Sequence, residues 1–260
     1  MELQLIRNAT VKLQFGGVTF LIDPYLGGKY SQPSLAGRSK NPTVDLPCSI
    51  KEILEGVDYI IVSHLHPDHF DDEAQHNLSR QAPIFCQPQD LDALMSSGFG
   101  NVRAIDRDLD IEGVSITRTD CQHGSGEILP LMGVASGFVF RHLEEKTLYW
   151  CGDTVWYDGV QDVIDRHKPE VVVCHAGGNA FAHSYNVFGP AFSGDSESLV
   201  MDAGQVLMLC DYATQAQVLA THIGALDHDS LTREELRNRT ITQVERGQLL
   251  IPGDGQKMIF

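Results

Sequence analysis

Three histidines and one aspartate lie close together in the segment SHLHPDHF, which covers residues 63–70. They are His64, His66, Asp68 and His69. Imidazole nitrogens and carboxylate oxygens are the protein ligands that zinc and similar divalent ions bind. A single histidine is more often a core or surface residue, but four ligand-type side chains in one short pattern indicate a metal site.

Four candidate ligands, including His64 of this segment, come directly after apolar runs that are typical of strands. They are His64 after YIIVS, His123 after ITRTDCQ, Asp153 after TLYWCG and His222 after QVLAT. Loops at one end of such strands meet at a common rim, so we expect these side chains to converge. The predicted ligands are His64, His66 and His123 for a first metal, Asp68, His69 and His222 for a second, and Asp153 as a bridge.

The elements that would hold these ligands are short strands, with helices between the later ones. Strand-like runs include VTFLIDPYL, DYIIVSH and EVVVCHAGG, and helix-like segments include SESLVMDAGQVLMLCDYA (196–213) and LTREELRNRTITQV (231–244). This order predicts an α/β fold of two sheets packed face to face with helices outside. We predict one domain over residues 1–260, with a long irregular loop at 179–196 near the pocket.

Composition limits the expected partners. The formal net charge is −16, and such an acidic surface repels phosphate backbones and anionic lipids, so neither nucleic acid nor a membrane is an expected partner. No apolar run approaches the roughly 20 residues of a membrane span. The start of the chain lacks the pattern of a cleavable leader, and the six scattered cysteines are typical of free thiols. We therefore expect a cytoplasmic protein with a small-molecule substrate, and a homo-oligomer stays open.

The motifs SHLHPDHFD, HGSG, CGDT and ATHIGALDH, in this order, resemble the metallo-β-lactamase superfamily. The resemblance is closer to the metal-dependent hydrolases related to ascorbate-phosphate lactonases than to the antibiotic-degrading enzymes. It implies a four-layer αββα sandwich, two divalent metal ions and hydrolytic chemistry, with the family's metal ligands on the seven residues given above. It also implies that Asp23, in FLIDPYL, supports the ligand loop without binding metal.

The predicted chemistry is hydrolysis of a small-molecule ester, lactone or phosphoester by a metal-bound hydroxide. Zinc suits the ligands best, with manganese or iron as alternatives. Asp68 would orient the nucleophile or accept its proton, and His228 is a second candidate catalytic residue or a solvated helix cap. The candidate substrate contacts are His175, Asn179 and Tyr185.

The sequence alone leaves three other functions open. A phosphodiesterase acting on a small nucleotide or sugar phosphate would use the same ligands. A di-iron redox enzyme is a further alternative, but the resemblance implies that this branch commonly has glutamate at the position of His66, so histidine there favours a hydrolase. A non-catalytic protein that a metal stabilises is the alternative outside enzymes. Gly224 and Asp227 differ from the glutamate and asparagine that relatives often carry in the last motif, so the substrate does not carry over from the resemblance.

Overall fold

Two seven-stranded sheets form the centre of the computed structural model, which describes residues 1–192 and 194–260. The first sheet contains β1 (Glu2–Arg7), β2 (Thr10–Phe15), β3 (Val18–Ile22), β4 (Tyr59–Val62), β5 (Ile84–Cys86), β6 (Val102–Ala104) and β14 (Lys257–Ile259). The second contains β7 (Asp108–Ile111), β8 (Val114–Asp120), β9 (Ser136–Arg141), β10 (Leu148–Trp150), β11 (Val171–His175), β12 (Gln217–Thr221) and β13 (Leu249–Leu250).

Each sheet combines antiparallel and parallel strands. The first has the order β14-β1-β2-β3-β4-β5-β6, and its strands from β3 to β6 are parallel. The second has the order β13-β12-β11-β10-β9-β8-β7, and its strands from β10 to β13 are parallel. Strand β8 runs in the direction of β10, because both are antiparallel to β9. The carboxyl ends of β8, β10, β11 and β12 therefore lie at one edge, where α/β sheets carry their sites.

Short helices connect the strands. The α-helices are α1 (Ile50–Leu54), α2 (Asp72–Asn77), α3 (Leu91–Ser96), α4 (Asp158–His167), α5 (Ala203–Tyr212), α6 (Arg233–Arg239) and α7 (Ile241–Glu245). Helix α1 begins at a local signal, because Ser49 and Glu52 form a reciprocal capping box. Short 3₁₀ helices cover Pro88–Asp90, Gly126–Leu131, His183–Tyr185 and Gly189–Ala191.

Aromatic and aliphatic side chains fill the space between the sheets. Phe20 of β3 contacts Phe140 of β9 edge-on, with ring centroids 5.6 Å apart. Trp150 of β10 is fully buried in the same cluster. Burial of each such side chain contributes about 1.5–3 kcal/mol to the free energy of unfolding. This core holds the two sheets, and hence their strand ends, in a fixed relation.

The outer face of each sheet is covered by helices. Ile53 of α1 and Leu94 of α3 pack in one cluster with residues of the first sheet. Ile164 of α4 and Val206 of α5 do so for the second sheet. The predicted αββα sandwich of two mixed sheets is therefore confirmed. Extension of one domain over residues 1–260 stays a prediction, and within the described ranges no helix has the length and hydropathy of a membrane span.

The predicted helix at 196–213 begins later than the pattern indicates. Helix α5 starts at Ala203, because the Asp202 side chain accepts a hydrogen bond from the main-chain nitrogen of Gln205 and so caps it. Upstream, the main-chain nitrogen of Leu199 donates to the Asn179 carbonyl at 2.7 Å, which holds this segment against another loop. Tertiary hydrogen bonds thus override the apolar pattern. The segment at 231–244, predicted as one helix, instead forms two short helices, α6 and α7.

Candidate metal centre

The predicted metal ligands follow the carboxyl ends of strands from both sheets. His64 follows β4, His123 follows β8 and Asp153 follows β10. His222 is the first residue after β12. The structure brings all seven predicted ligands to one place, and these are His64, His66, Asp68, His69, His123, Asp153 and His222.

Three imidazoles form the first group. His64, His66 and His123 each offer one ring nitrogen, and these nitrogens lie within 4.8 Å of one another. The Nε2 of His123 is 3.4 Å from the Nδ1 of His66. His64 and His123 are buried, whereas His66 is half-buried. Three converging nitrogens match a zinc site that keeps a position for water or substrate.

Two imidazoles and a carboxylate form the second group. The Nε2 of His222 is 3.1 Å from the Oδ2 of Asp68. The Nε2 of His69 is 3.6 Å from the same oxygen. Both histidines are buried. Two histidines with one carboxylate are a ligand set that catalytic zinc also uses.

The carboxylate of Asp153 lies between the two groups. Its Oδ2 is 3.1 Å from the Nε2 of His69 and 3.3 Å from the Nε2 of His123. The same oxygen is 3.8 Å from the Nε2 of His64. One oxygen therefore contacts ligands of both groups, which is the position that a bridging ligand requires.

A hydrogen-bond network behind the ligands orients two of the rings. The Nδ1 of His69 donates to the Oδ2 of Asp23 at 2.7 Å. The main-chain nitrogen and the hydroxyl of Ser63 also donate to Asp23, each at 2.7 Å. Because the Ser63 hydroxyl donates to Asp23, its oxygen accepts from the Nδ1 of His64, 3.0 Å away. The Nε2 lone pairs of His64 and His69 are therefore left for metal, and Asp23 supports both groups at once.

The backbone also takes special conformations at the site. Asp23 and His222 have φ angles of 47° and 58°, a region that non-glycine residues rarely adopt and that carries strain. Gly152, with φ of 70°, precedes Asp153, and a Cβ at this position would collide with the Ser136 carbonyl. The turn that presents Asp153 therefore requires glycine.

The ring of His123 is also oriented by a hydrogen bond, because its Nδ1 donates to the main-chain carbonyl of Leu199 at 3.0 Å.

The rings of the first group are neutral at pH 7. Burial lowers the pKa of His64 well below its ordinary value of 6.5. Burial also lowers the pKa of His66 to about 4. The pKa of His123 is lowered mainly by the same cause. Neutral imidazole is the form that binds metal.

The second group behaves differently because carboxylates surround it. Burial acts to lower the pKa of His69, but the nearby carboxylates, Asp153 foremost, raise it well above 6.5. Burial likewise opposes a raised pKa at His222, and Asp153 and Asp68 raise it. For both aspartates burial opposes ionisation, while His69 and its neighbours hold the pKa well below 3.8. A metal ion bound to this group would take the place of the imidazole protons.

The donor set fits a divalent metal ion. The Nε2 of His64 is buried and has no hydrogen-bond partner in the part of the chain that the structure describes. An unsatisfied buried polar group costs about 1–3 kcal/mol, and a bound cation would satisfy it. Mixed imidazole and carboxylate ligands suit zinc, manganese or iron. The chain is thus built to bind metal.

A cavity of about 180 Å³ lies beside the ligands. Phe181, Val187 and Phe188, from the loop predicted at 179–196, form part of its wall, and residue 193 of that loop lies outside the described residues. Among the described residues, no Lys or Arg lines this cavity. Its apolar lining consists of Leu35, Pro67, Leu131, Met132, Phe181, Val187, Phe188, Leu199 and Val200.

Two of the other predicted site residues line the cavity and two do not. His228 and Asn179 are part of its wall. His175 is fully buried, and its Nδ1 donates to the Oδ1 of Asp153 at 2.5 Å. Tyr185 is 41% exposed, and its ring lies against Gly37. The structure thus places His175 and Tyr185, both predicted as substrate contacts, away from the cavity wall.

Asp227 holds the segment at 34–41 beside the cavity. Its carboxylate accepts hydrogen bonds from the main-chain nitrogens of Leu35 and Ala36 and from the side-chain amide of Asn41. Burial opposes ionisation, but a hydrogen bond from the Ser34 hydroxyl, together with those from Leu35, Asn41 and Ala36, lowers the pKa of Asp227. Because Leu35 lines the cavity, this aspartate fixes part of the cavity wall.

Ser63, Leu199 and Asp229 also belong to the site, although they are not among the residues predicted from the sequence. Ser63 stands next to His64 in the first motif, so its position was a usable signal. Asp229 follows His228 and accepts a hydrogen bond from Asn179 at 2.5 Å. Leu199 acts through its main-chain carbonyl, a group that every residue carries, so no sequence signal existed.

Known proteins share this fold and its sequence pattern. A family described as a beta-lactamase superfamily domain matches residues 19–223. The UPF0173 protein YddR of Bacillus subtilis (strain 168) is 38% identical, and the alignment covers 100% of both chains. A UPF0173 metal-dependent hydrolase of Xanthobacter autotrophicus is 25% identical over 82% of this chain and 84% of its own length.

One solved structure is also similar over nearly its whole length. The isothiocyanate hydrolase from Delia radicum gut bacteria is 35% identical and superimposes with a TM-score of 0.89. The superposition covers 100% of this chain and 99% of that protein. The similarity therefore includes every strand and loop that carries a candidate ligand.

Proposed function

The chain belongs to the beta-lactamase superfamily as a metal-dependent hydrolase, and from this we propose that it hydrolyses small, uncharged electrophiles with an apolar tail at a centre of two metal ions. The proposed ligands are His64, His66 and His123 for one metal and Asp68, His69 and His222 for the other, with Asp153 as the bridge. Zinc is the first metal to test, followed by manganese and iron.

The residues that line the cavity support the proposed substrate class. Its volume of about 180 Å³ is near that of an engineered cavity that holds one benzene molecule. Most of its lining residues are apolar, and no lysine or arginine lines it within residues 1–192 and 194–260. Beyond the metal centre itself, a phosphate group buried there would meet no lysine or arginine among the described residues to offset the loss of its hydration. A neutral group with a short aromatic or aliphatic tail therefore suits the cavity better than a phosphodiester.

Metal ions, when bound, lower the pKa of water and withdraw electrons from an electrophilic carbon. The chain supplies the proton acceptor, for which Asp68 is the candidate. Burial opposes ionisation of Asp68, but electrostatic attraction to His69 and a hydrogen bond from His222 hold its pKa well below the ordinary value and keep it ionised. The side-chain amide of Asn8 lies 3.3 Å from the Oδ2 of Asp68 and 3.2 Å from its carbonyl, which orients the residue. An ionised carboxylate held in this way beside the cavity can take the proton of an attacking water.

Isothiocyanates are the first substrate class to test, because the similar structure at 35% identity is an isothiocyanate hydrolase. An isothiocyanate, R–N=C=S, is uncharged and has an electrophilic central carbon. Addition of one water forms a carbon–oxygen bond at that carbon. Cleavage of the carbon–nitrogen bond then releases the amine R–NH₂, whose nitrogen has gained two protons, and carbonyl sulfide. No oxidant or second reactant is required.

A panel of substrates that share one tail tests the proposal. Protein reloaded with zinc, manganese or iron would be assayed with benzyl isothiocyanate, benzyl acetate, a benzyl-substituted lactone and a benzyl phosphodiester. We expect kcat/KM for the best neutral substrate to exceed that for the phosphodiester by roughly 100-fold or more, because burial of an unpaired charge costs several kcal/mol. Methyl isothiocyanate is the control for the tail, and its KM should be higher, since each buried methylene contributes about 0.8 kcal/mol.

Two results of this panel would contradict the proposal. If the phosphodiester is the fastest substrate, the cavity does not select neutral molecules. If the methyl and benzyl isothiocyanates have equal KM values, the apolar wall does not bind the tail.

We propose that His228, which lines the cavity, donates a hydrogen bond to the substrate. Asn179 donates from Nδ2 to Asp229 at 2.5 Å, and the same nitrogen lies 3.3 Å from the Nε2 of His228. A carboxylate only accepts, so the amide nitrogen faces both partners and the neutral ring of His228 carries its hydrogen on Nδ1. This Nδ1 has no partner among the residues that the structure describes. Burial lowers the pKa of His228 to about 4, so the ring stays neutral at pH 7.

Loss of this donor should slow the reaction without loss of metal. The His228→Phe variant keeps the ring that stacks on Phe181 but has no N–H group. We expect kcat to fall by about 100-fold, in line with removal of one donor to a developing negative charge. In the matched His228→Asn variant, the amide nitrogen stands near the position of Nδ1 and should restore part of the rate. Equal kcat values for the natural chain and His228→Phe would show that His228 has no such role.

A further inference from the structure

We infer that His175 is a positioning residue, which holds the carboxylate of Asp153 so that one of its oxygens faces both metal positions. The inference rests on the binuclear centre of the proposed function. It assigns to His175 a role at the metal centre instead of the substrate contact that its position in CHAGGNAF suggests.

The two oxygens of Asp153 have different surroundings. Oδ2 lies 3.1 Å from the Nε2 of His69 in one ligand group and 3.3 Å from the Nε2 of His123 in the other. Oδ1 lies 2.5 Å from the Nδ1 of His175 and 3.9 Å from the Nε2 of His222. The hydrogen bond from His175 therefore holds Oδ1, and this leaves Oδ2 between the two groups. Rotation of the carboxylate would break that hydrogen bond.

The ring of His175 is itself held rigidly. It is the last residue of β11 and pairs with Thr221 of the parallel strand β12. Its side chain is fully buried, and its ring meets the ring of Trp150 edge-on with centroids 4.9 Å apart. Its main-chain carbonyl accepts a hydrogen bond from Met201 at 3.1 Å. A donor on such a strand end has little freedom to follow a moving carboxylate, so it restricts where Asp153 can lie.

The alternative role of His175 is that of a metal ligand, since its ring nitrogen lies within 4.8 Å of ligand atoms of His69, Asp153 and His222. The contact with Asp153 argues against it. A carboxylate oxygen only accepts, so the Nδ1 of His175, which is 2.5 Å from Oδ1, carries a hydrogen and has no lone pair left for a metal ion. That distance is typical of a hydrogen bond to a carboxylate. The other ring nitrogen, Nε2, is buried without a hydrogen-bond partner in the described part of the chain.

Metal titration of three variants tests this role without reference to activity. The His175→Phe variant keeps a ring against Trp150 but has no donor. His175→Asn places an amide nitrogen near the position of Nδ1, whereas His175→Gln places it near that of Nε2. Each metal-free protein would be titrated with zinc against a chelator, and with Co²⁺ while its visible absorption is recorded. Circular dichroism of the metal-free proteins checks that the variants fold.

We expect the natural chain to bind two metals and His175→Phe to bind the second metal about 10- to 100-fold more weakly, as is usual when a residue that orients a ligand is lost. His175→Asn should bind both nearly as tightly as the natural chain, and His175→Gln should resemble His175→Phe. If His175→Phe does not fold, comparison of the zinc affinities of His175→Asn and His175→Gln tests the same role.

Three results would overturn the inference, and they differ from one another. Unchanged zinc affinities and Co²⁺ spectra in His175→Phe and His175→Gln would show that His175 does not position Asp153. A loss of the second metal in His175→Asn as large as in His175→Phe would show that the imidazole is a ligand. Binding of only one metal by the natural chain would instead reject the binuclear centre of the proposed function, and the role of His175 in it.

Discussion

An Asp68→Asn variant is expected to hydrolyse substrate at least about 100-fold more slowly than the natural chain, which is the usual contribution of a general base. Asparagine keeps the shape of the side chain but removes its charge and its ability to accept a proton. The Oδ2 of Asp68 lies 3.1 Å from the Nε2 of His222, so a neutral amide there should also weaken the second metal position. Measurement of kcat at saturating metal separates the loss of the proton acceptor from the loss of metal.

Asp110→Asn is a matched control for the change of charge, because Asp110 is exposed on the edge strand β7. It should leave kcat and metal content unchanged. Folding of Asp68→Asn should survive, since the sandwich core and the first ligand group are not altered. A kcat for Asp68→Asn equal to that of the control, with metal saturating, would exclude Asp68 as the proton acceptor.

Replacement of Asp153 with alanine is expected to have a larger effect. The Oδ2 of Asp153 lies between His69 and His123, so its removal takes a ligand from both proposed metal positions. We expect metal content to fall from two ions towards one per chain. Activity should fall at least about 1,000-fold, because the several kcal/mol of charge stabilisation that metal supplies is lost with it.

Elemental analysis of the purified Asp153→Ala variant checks the metal content, and a titration with zinc checks whether excess metal restores it. Asp162→Ala, an exposed change on helix α4, is the control and should bind metal like the natural chain. Tight retention of two metals by Asp153→Ala would be incompatible with a bridging carboxylate. Comparison of the two variants thus separates the proton acceptance that we propose for Asp68 from the assembly of the metal centre that we propose for Asp153.

The candidate ligands could be recognised from the sequence because their spacing is local. His64, His66, Asp68 and His69 lie within one short loop, so their proximity does not depend on the rest of the fold. The apolar runs before the other ligands are buried strands, and parallel strands place their carboxyl ends at a common edge. The αββα fold followed from the same alternation of strands and helices.

The surroundings of the ligands depended on contacts between distant residues. His175 ends an apolar strand and Asp153 follows another, yet the structure buries His175 behind Asp153 and not in the cavity wall. Tyr185 belongs to an aromatic loop, but the loop contributes Phe181 and Phe188 to the cavity and leaves Tyr185 partly exposed. A side chain after a strand end can point in several directions, and only its neighbours in space decide among them.

By itself, the sequence determined the sandwich fold and the identity of the residues that converge, because residue type, short spacing and strand periodicity act locally. Only the tertiary structure decided the tautomers of the histidines, the position of Asp153 between the two ligand groups and the absence of lysine and arginine from the described part of the cavity wall. The irregular segment around Leu199 shows the reason. Its apolar pattern predicts a helix, but hydrogen bonds to Asn179 and His123 hold it as part of the site. Such bonds join residues far apart in the chain, and their energies outweigh local helix propensity, which differs by less than about 1 kcal/mol per residue.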